Sequence, residues 1–199
     1  MNRTQRRAFL IGTLLGDASF SGKVKKHILF GHCEKQKEYG EWKLKLIGKW
    51  FNVKTKSCIA KGTTSPNNFR TKFYRFWTGS DHRFTALFKR MVINNKKNIT
   101  NYSLKYFTEI SLAVLFMDDG RKETYKGKIK TFKFSLGGFS INEVTKLSLH
   151  IEQKFNIRTK MYLEHRKYPC LKITGKENKE NFVKLIKPYI HPSMLYKIQ

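Results

Sequence analysis

The chain contains only four aspartates, Asp17, Asp81, Asp118 and Asp119. Three of them close apolar runs of helical length: Phe9-Leu10-Ile11-Gly12-Thr13-Leu14-Leu15-Gly16-Asp17 and Leu112-Ala113-Val114-Leu115-Phe116-Met117-Asp118-Asp119-Gly120. A helix that is apolar on all sides is a buried one, and a carboxylate at its C-terminus faces the negative end of the helix dipole. In a chain with 41 Lys+Arg against 14 Asp+Glu and a net charge of +27, an acid so placed needs a cation to stabilise it. Gly12 and Gly16, four apart, leave a flat strip along which another backbone can approach. Pairing the two helices about a pseudo-two-fold axis then sets Asp17 beside Asp119. Two adjacent carboxylates favour a hard divalent ion such as Mg²⁺, with Mn²⁺ as a substitute and a docked phosphate backbone supplying further oxygen ligands. The plainer alternative, that the acids merely terminate their helices, is weakened by their equivalent placement in a repeat.

That repeat sets the organisation of the chain. Phe51-Asn52-Val53-Lys54-Thr55-Lys56 returns as Phe155-Asn156-Ile157-Arg158-Thr159-Lys160, and Trp77-Thr78-Gly79 as Ile173-Thr174-Gly175. Phe84, Leu87, Phe88 and Lys89 return as Phe182, Leu185, Ile186 and Lys187, and Gly16-Asp17 as Asp118-Asp119. Four matches in one order at nearly constant offset predict two half-domains, 1–100 and 101–199, joined near 98–106. Each half reads helix, two strands, helix, two strands, helix. The first helices are 4–15 and 108–117, followed by strands around 19–33 and 128–136. The second helices are 35–51 and 141–155, the latter with Ser140 as N-cap and Glu143 completing a capping box. Strands 54–60, 68–78, 159–166 and 169–174 follow, with a turn expected at Tyr168-Pro169. Helices 81–91 and 176–186 close the halves. The class is α+β, as two pseudo-symmetric αββαββα half-domains.

Charge points to the partner. A folded chain this cationic and 14% aromatic is best explained by work against a polyanion. Cations alternate with apolar residues in apparent strands (Lys54 and Lys56, Arg70 and Lys72 with Tyr74, Lys128 and Lys130, Arg158 and Lys160), which at period two makes one sheet face basic. The apolar runs are too short to span a bilayer, and no membrane partner is expected. Three widely spaced cysteines, Cys33, Cys58 and Cys170, form no CxxC pair and fit a reducing compartment. No signal peptide is recognisable. The abundance of Lys, Asn, Ile and Phe suggests AT-rich coding, as in an organelle, a phage or a low-GC bacterium. The six histidines show no paired metal spacing on one helix and read as surface or nucleic-acid-facing. Gly137-Gly138 reads as a bulge or turn, since no GK[ST] follows.

Both nine-residue acid-tipped stretches resemble the LAGLIDADG motif, the signature of intron- and intein-encoded homing endonucleases. The resemblance covers essentially the whole chain, in the single-chain, two-motif form. Two positions depart from the motif: Ala18 replaces the final glycine of the first copy, and Val114 the central glycine of the second. The resemblance implies half-domains packed through their motif helices, each with a curved antiparallel sheet that tracks the major groove of DNA. It implies metal ligation by Asp17 and Asp119, with Gly16 and Asp118 adding backbone carbonyls. One basic residue beside each site is also implied, and Lys97 and Lys197, 100 residues apart in the repeat, fill those places.

The activity so implied is metal-assisted phosphodiester hydrolysis that breaks both strands of a long DNA site and leaves short 3′ overhangs, performed by a monomer with an internal two-fold. Candidate readers of the DNA are Ser19, Ser21, Lys23, Lys25, Arg70, Lys72, Tyr74, Lys128, Lys130, Lys133, Tyr162, Glu164, Arg166 and Lys172, since Lys and Arg suit guanine edges and polar residues the others. Two other functions suit the same fold and charge: an RNA maturase that assists splicing of a group I intron, and a catalytically silent DNA-binding regulator. The intact acids and both lysines argue against the silent form.

Overall fold

The computed structural model describes residues 1–60 and 72–199. Two compact units emerge, one formed by residues 1–16 with 90–199, the other by residues 17–89. Among the described residues no helix is long and apolar enough to cross a membrane.

The unit of residues 17–89 holds β1 (Ser19–Ser21), β2 (His27–Cys33), α2 (Lys37–Phe51), β3 (Thr55–Ala60) and β4 (Phe73–Thr78). α3 (His82–Met91) continues from it. The strands form an antiparallel sheet in the order β1-β2-β4-β3. On one face of it Phe30 stacks on Phe76 at 5.4 Å between ring centroids, and Phe84 of α3 meets Phe51 at 4.9 Å. α2 ends where Asn52 turns left-handed, with φ 49°.

The other unit begins with α1 (Arg3–Leu15) and resumes with a hairpin of β5 (Val92–Ile93) and β6 (Lys96–Lys97). It continues through α4 (Asn101–Lys105), α5 (Glu109–Asp119), β7 (Gly120–Tyr125), β8 (Lys128–Ser135) and α6 (Ile141–Phe155). β9 (Lys160–Glu164), β10 (Tyr168–Ile173) and α7 (Lys176–Ile186) follow, and the last turn is a 3₁₀ helix, Pro192–Lys197. Its sheet order, β7-β8-β10-β9, reproduces that of the first sheet position by position. The αββαββα order therefore occurs twice, as α1 to α3 and as α5 through α7. Phe116 of α5 sits among Phe132, Phe134 and Phe182 at 5.1–5.6 Å, which fixes α5 under its sheet. α6 starts at Ser140 with Glu143 returning the capping box, as expected, and ends in left-handed Asn156.

α1 and α5 pack along one another. Ala8 through Leu15 and Ile110 through Met117 are all buried, so over these residues neither helix keeps a solvent face. Glycine makes the approach possible. A Cβ on Gly12 would lie 2.6 Å from the Ser111 carbonyl oxygen and 2.9 Å from Val114 Cβ. The valine that replaces glycine in the second motif is thus accommodated by the glycine of the first. Ser111 Oγ donates 2.7 Å to the Ala8 carbonyl across the pair and accepts from the Thr108 N–H at 3.1 Å.

Two expectations are corrected. Residues 120–125, too polar to read as a strand, form β7, joined to β8 through Lys126 and Gly127 at φ 47° and 74°, both positive as a tight hairpin turn requires. The turn between β9 and β10 lies at His165 and Arg166, with φ 51° and 57°, whereas Tyr168 and Pro169 are already in β10 opposite Glu164 and Leu163.

Candidate active site and nucleic-acid face

The acid-bearing ends of α1 and α5 are treated alike by two lysines far apart in sequence. Lys97 Nζ donates to the carbonyls of Leu14 and Gly16, each at 2.8 Å. Lys197 Nζ donates to the Met117 carbonyl at 2.6 Å and more weakly to that of Asp118 at 3.5 Å. The last carbonyls of a helix have no intrahelical donor and carry its negative partial charge, so an ammonium there is held by both effects. Lys97 is half-buried and Lys197 buried.

Beside these carbonyls stand the acids. Gly16 ends α1, and a Cβ there would lie 2.5 Å from Asp118 Oδ2, so the Asp118 carboxylate packs against bare backbone. Asp17 follows Gly16 directly, about 3.8 Å further along the chain, with its side chain one-third exposed. Asp119, half-buried, is the last residue of α5. In the unit of residues 17–89, Asp17 Oδ2 lies 3.4 Å from Nδ1 of His32, a side chain 1% exposed. Sequence reading missed His32. The signal was the alternation of β2, where Ile28, Phe30 and His32 all point inward. Its ring is held by Tyr39 at 5.1 Å, Phe30 at 5.8 Å and Phe76 at 6.2 Å. Lys43 is fully buried beside it, its Nζ 4.8 Å and 4.9 Å from the Phe30 and Tyr39 rings. Asp17 and His32, both in the unit of residues 17–89, are of the types that hold metal ions. Carboxylate oxygens are hard donors that suit a divalent cation, and in each motif they stand next to the carbonyls at the negative end of a helix.

The outer faces of the two sheets are polar and basic. In the second sheet, Lys133 pairs with Lys172, Lys172 with Lys160, and Cys170 with Tyr162, so Lys133, Tyr162, Glu164 and Lys172 share one face with Arg121 and Glu123. The face is laced together. Lys133 and Lys172 stand 5.2 Å and 5.3 Å from the Tyr162 ring, Arg121 bonds Glu164 and Ser135, and Lys133 pairs with Glu123. Burial pushes the Tyr162 phenol above its ordinary value, partly opposed by Lys133. Lys128 and Lys130 are exposed near the turn end of β8, and Arg166 is exposed in the β9–β10 turn. In the first sheet, Ser19 and Ser21 pair with Leu29 and His27 on the face opposite Phe30, and Lys23 and Lys25 are exposed between β1 and β2. Tyr74 lies on the Phe76 side, opposite His32 and beneath Lys37 of α2 at 5.2 Å, and Lys72 lies 3.7 Å from Glu34. Arg75 and Trp77 of β4, with Lys56 opposite Trp77, occupy the outer face there. Arg70 lies outside the described residues.

Residues 7–180 match the LAGLIDADG DNA endonuclease family. The chain belongs to that family. Among LAGLIDADG proteins it is similar to a probable intron-encoded endonuclease 1 of Wickerhamomyces canadensis, 33% identical over 95% of this chain and 81% of the relative. It is also similar to the cytochrome b mRNA maturase bI2 of Debaryomyces hansenii, 30% identical over 95% of this chain and 71% of that one. Among solved structures, the homing endonuclease I-WcaI bound to its DNA recognition sequence superposes with a TM-score of 0.86 at 27% identity, covering 98% of this chain and 86% of that one. The LAGLIDADG motifs are thus α1 with Gly16-Asp17 and α5 with Gly120.

Proposed function

We propose that the chain is a site-specific homing endonuclease that hydrolyses one phosphodiester on each strand of a long, loosely palindromic DNA target, acting as a monomer whose halves are 1–100 and 101–199. The observation that carries this reading is the matched pair of acid-tipped helices, each clasped by a lysine. Asp17 and Asp119, with the carbonyls of Gly16 and Asp118, would hold Mg²⁺, or Mn²⁺ in its place. A bound ion of this kind supplies Lewis acidity at the phosphate and neutralises charge on the departing oxygen. Lys97 and Lys197 keep a fixed positive charge where negative charge grows on the pentavalent phosphorus, an arrangement preorganised by their bonds to helix carbonyls. Water adds to phosphorus and the P–O3′ bond breaks, leaving a 5′ phosphate and a 3′ hydroxyl. Each sheet reads one half-site through its outer face, with Lys133, Lys172, Tyr162 and Glu164 as base or phosphate contacts in the second.

The similarity to a protein named as a maturase supports a second reading, assistance of intron splicing. Asp17→Asn and Asp119→Asn separate the two. The expected outcome is that each abolishes Mg²⁺-dependent cleavage, selected from a randomised DNA library, while DNA binding survives. A wild-type chain that nicks no DNA in Mg²⁺ or Mn²⁺ yet stimulates splicing would overturn the nuclease reading in favour of the maturase.

A further inference from the structure

We infer that His32 is a nitrogen donor to the cation held at Asp17, so that the first motif accepts transition ions such as Mn²⁺ and Co²⁺ in preference to Mg²⁺. The inference deepens the proposed function and rests on its assignment of a cation to Asp17.

Distance carries the argument. The 3.4 Å between His32 Nδ1 and Asp17 Oδ2 is longer than the 2.7–3.2 Å typical of an N–H···O bond. Two donors that share one ion at about 2.1 Å stand roughly 3.0 Å apart at a right angle and roughly 3.4 Å apart at the tetrahedral angle. The observed spacing is an ion-pair distance, long for a hydrogen bond, and it lies within the range that two donors on one ion can span.

Rigidity supports it. His32 sits on a strand rather than a loop, 1% exposed, with its ring packed against Phe30, Tyr39 and Phe76. The ordering of a ligand side chain, which ordinarily weakens metal binding, has been met by folding. Affinity of a site that includes a nitrogen donor rises along the first-row ions from Mn²⁺ to Co²⁺, whereas Mg²⁺ takes oxygen ligands.

The second motif lacks the feature. Phe30 stands opposite Phe76, and Phe134 opposite Leu171. Two residues beyond Phe30 is His32; two beyond Phe134 is Leu136, buried and without a donor. At this sheet position a nitrogen ligand is thus present in the first half and replaced by leucine in the second, which predicts one class of Mn²⁺ with imidazole coupling and a second class with oxygen ligands.

The test is pulsed electron paramagnetic resonance of the full chain loaded with Mn²⁺ alone, with affinities for Mn²⁺ and Mg²⁺ measured by calorimetry. Wild type should show ¹⁴N modulation from one histidine. His32→Gln should lose it and lower the ratio of Mn²⁺ to Mg²⁺ affinity at least 10-fold, while His165→Gln, in the β9–β10 turn, keeps both. Wild-type Mn²⁺ without nitrogen coupling overturns the inference without any variant, as does coupling that persists in a folded His32→Gln. If Asp17→Asn removes Mn²⁺ and Mg²⁺ binding while wild type shows no coupling, only the role of His32 fails. If Asp17→Asn leaves binding of both ions intact, the assignment of the cation to Asp17 fails with it.

Discussion

Gly12→Ala isolates the helix contact on which the site depends. The added methyl would meet the Ser111 carbonyl oxygen at 2.6 Å, Ser111 Cα at 2.9 Å and Val114 Cβ at 2.9 Å, where ordinary contact begins at 3.4 Å. Two of the three atoms are backbone and cannot rotate away, so α1 and α5 must separate by about 0.8 Å. A gap of 0.5–1 Å forfeits a quarter to a half of the dispersion energy of the atoms facing it, and overpacking of this kind costs about 1–3 kcal/mol. The Ser111 to Ala8 hydrogen bond stretches as well, at about 1 kcal/mol. Alanine returns about 1 kcal/mol of helix propensity over glycine. The net destabilisation is about 1–3 kcal/mol, or a fall in melting temperature of about 2–12 °C for a chain of this size. Because Asp118 packs against Gly16 one turn further on, cleavage should fall by about 100-fold, the effect of a 1 Å displacement of reacting groups. Urea unfolding and a cleavage assay at 25 °C provide the check. Gly138→Ala is the control, since a Cβ there meets nothing within 4 Å. Val114→Gly should not rescue Gly12→Ala, because the tightest contact is the Ser111 backbone. A Gly12→Ala protein with wild-type midpoint and activity would refute the reasoning.

Ser111→Ala removes the hydroxyl that donates to Ala8 and accepts from Thr108; two buried backbone groups lose a partner, and urea unfolding should show a loss of about 1–3 kcal/mol. Glu143→Gln tests the cap of α6, whose carboxylate accepts from the Ile99 N–H at 2.7 Å and from the Ser140 N–H at 2.9 Å and hydroxyl at 2.6 Å. Burial acts to raise the Glu143 carboxyl, but the bonds from Ser140 and Ile99 outweigh it and hold the group below its ordinary value of 4.5. A depressed carboxyl contributes stability that is present above the unfolded value and lost as pH falls through the folded one. The stability difference between wild type and Glu143→Gln should therefore be full at pH 7 and shrink steadily below about pH 4.5; a difference unchanged at pH 3 would contradict this.

Much of this architecture was legible because the repeat is written in residues with local meaning. The Phe-Asn pair that recurs at 51–52 and 155–156 marks the end of α2 and α6, where asparagine tolerates the left-handed turn that stops a helix. Ser140 and Glu143 announced α6, and two wholly apolar runs announced α1 and α5. What escaped was decided by tertiary pairing. β7 is a strand because Arg121, Lys122 and Glu123 pair with Lys133, Phe132 and Thr131, not because of its composition. The side of the sheet on which Tyr74 lies depends on register with His32 and Phe76, and a shift of one residue reverses it. His32 was hidden by its type, since a histidine in a basic chain reads as a surface residue until the parity of Ile28 and Phe30 is extended to it.

The two lysines make the strongest case that chemistry, rather than folding, shaped the helix ends. Lys97 is carried by a two-residue strand of a hairpin, Lys197 by a 3₁₀ helix. The supporting structures share nothing, yet each ammonium reaches the terminal carbonyls of an acid-tipped helix. Capping a helix with a cation stabilises it by about 0.3–1 kcal/mol, an effect that an exposed arginine in the last turn would provide without desolvation. Neither α1 nor α5 has a basic residue in its last turn. Each cation comes instead from a distant part of the chain, Lys197 buried and Lys97 half-buried, and each bonds carbonyls next to a motif aspartate. That placement makes sense if the charge must be fixed in position where a phosphate will dock, and it accounts for a buried lysine that stability alone would not favour.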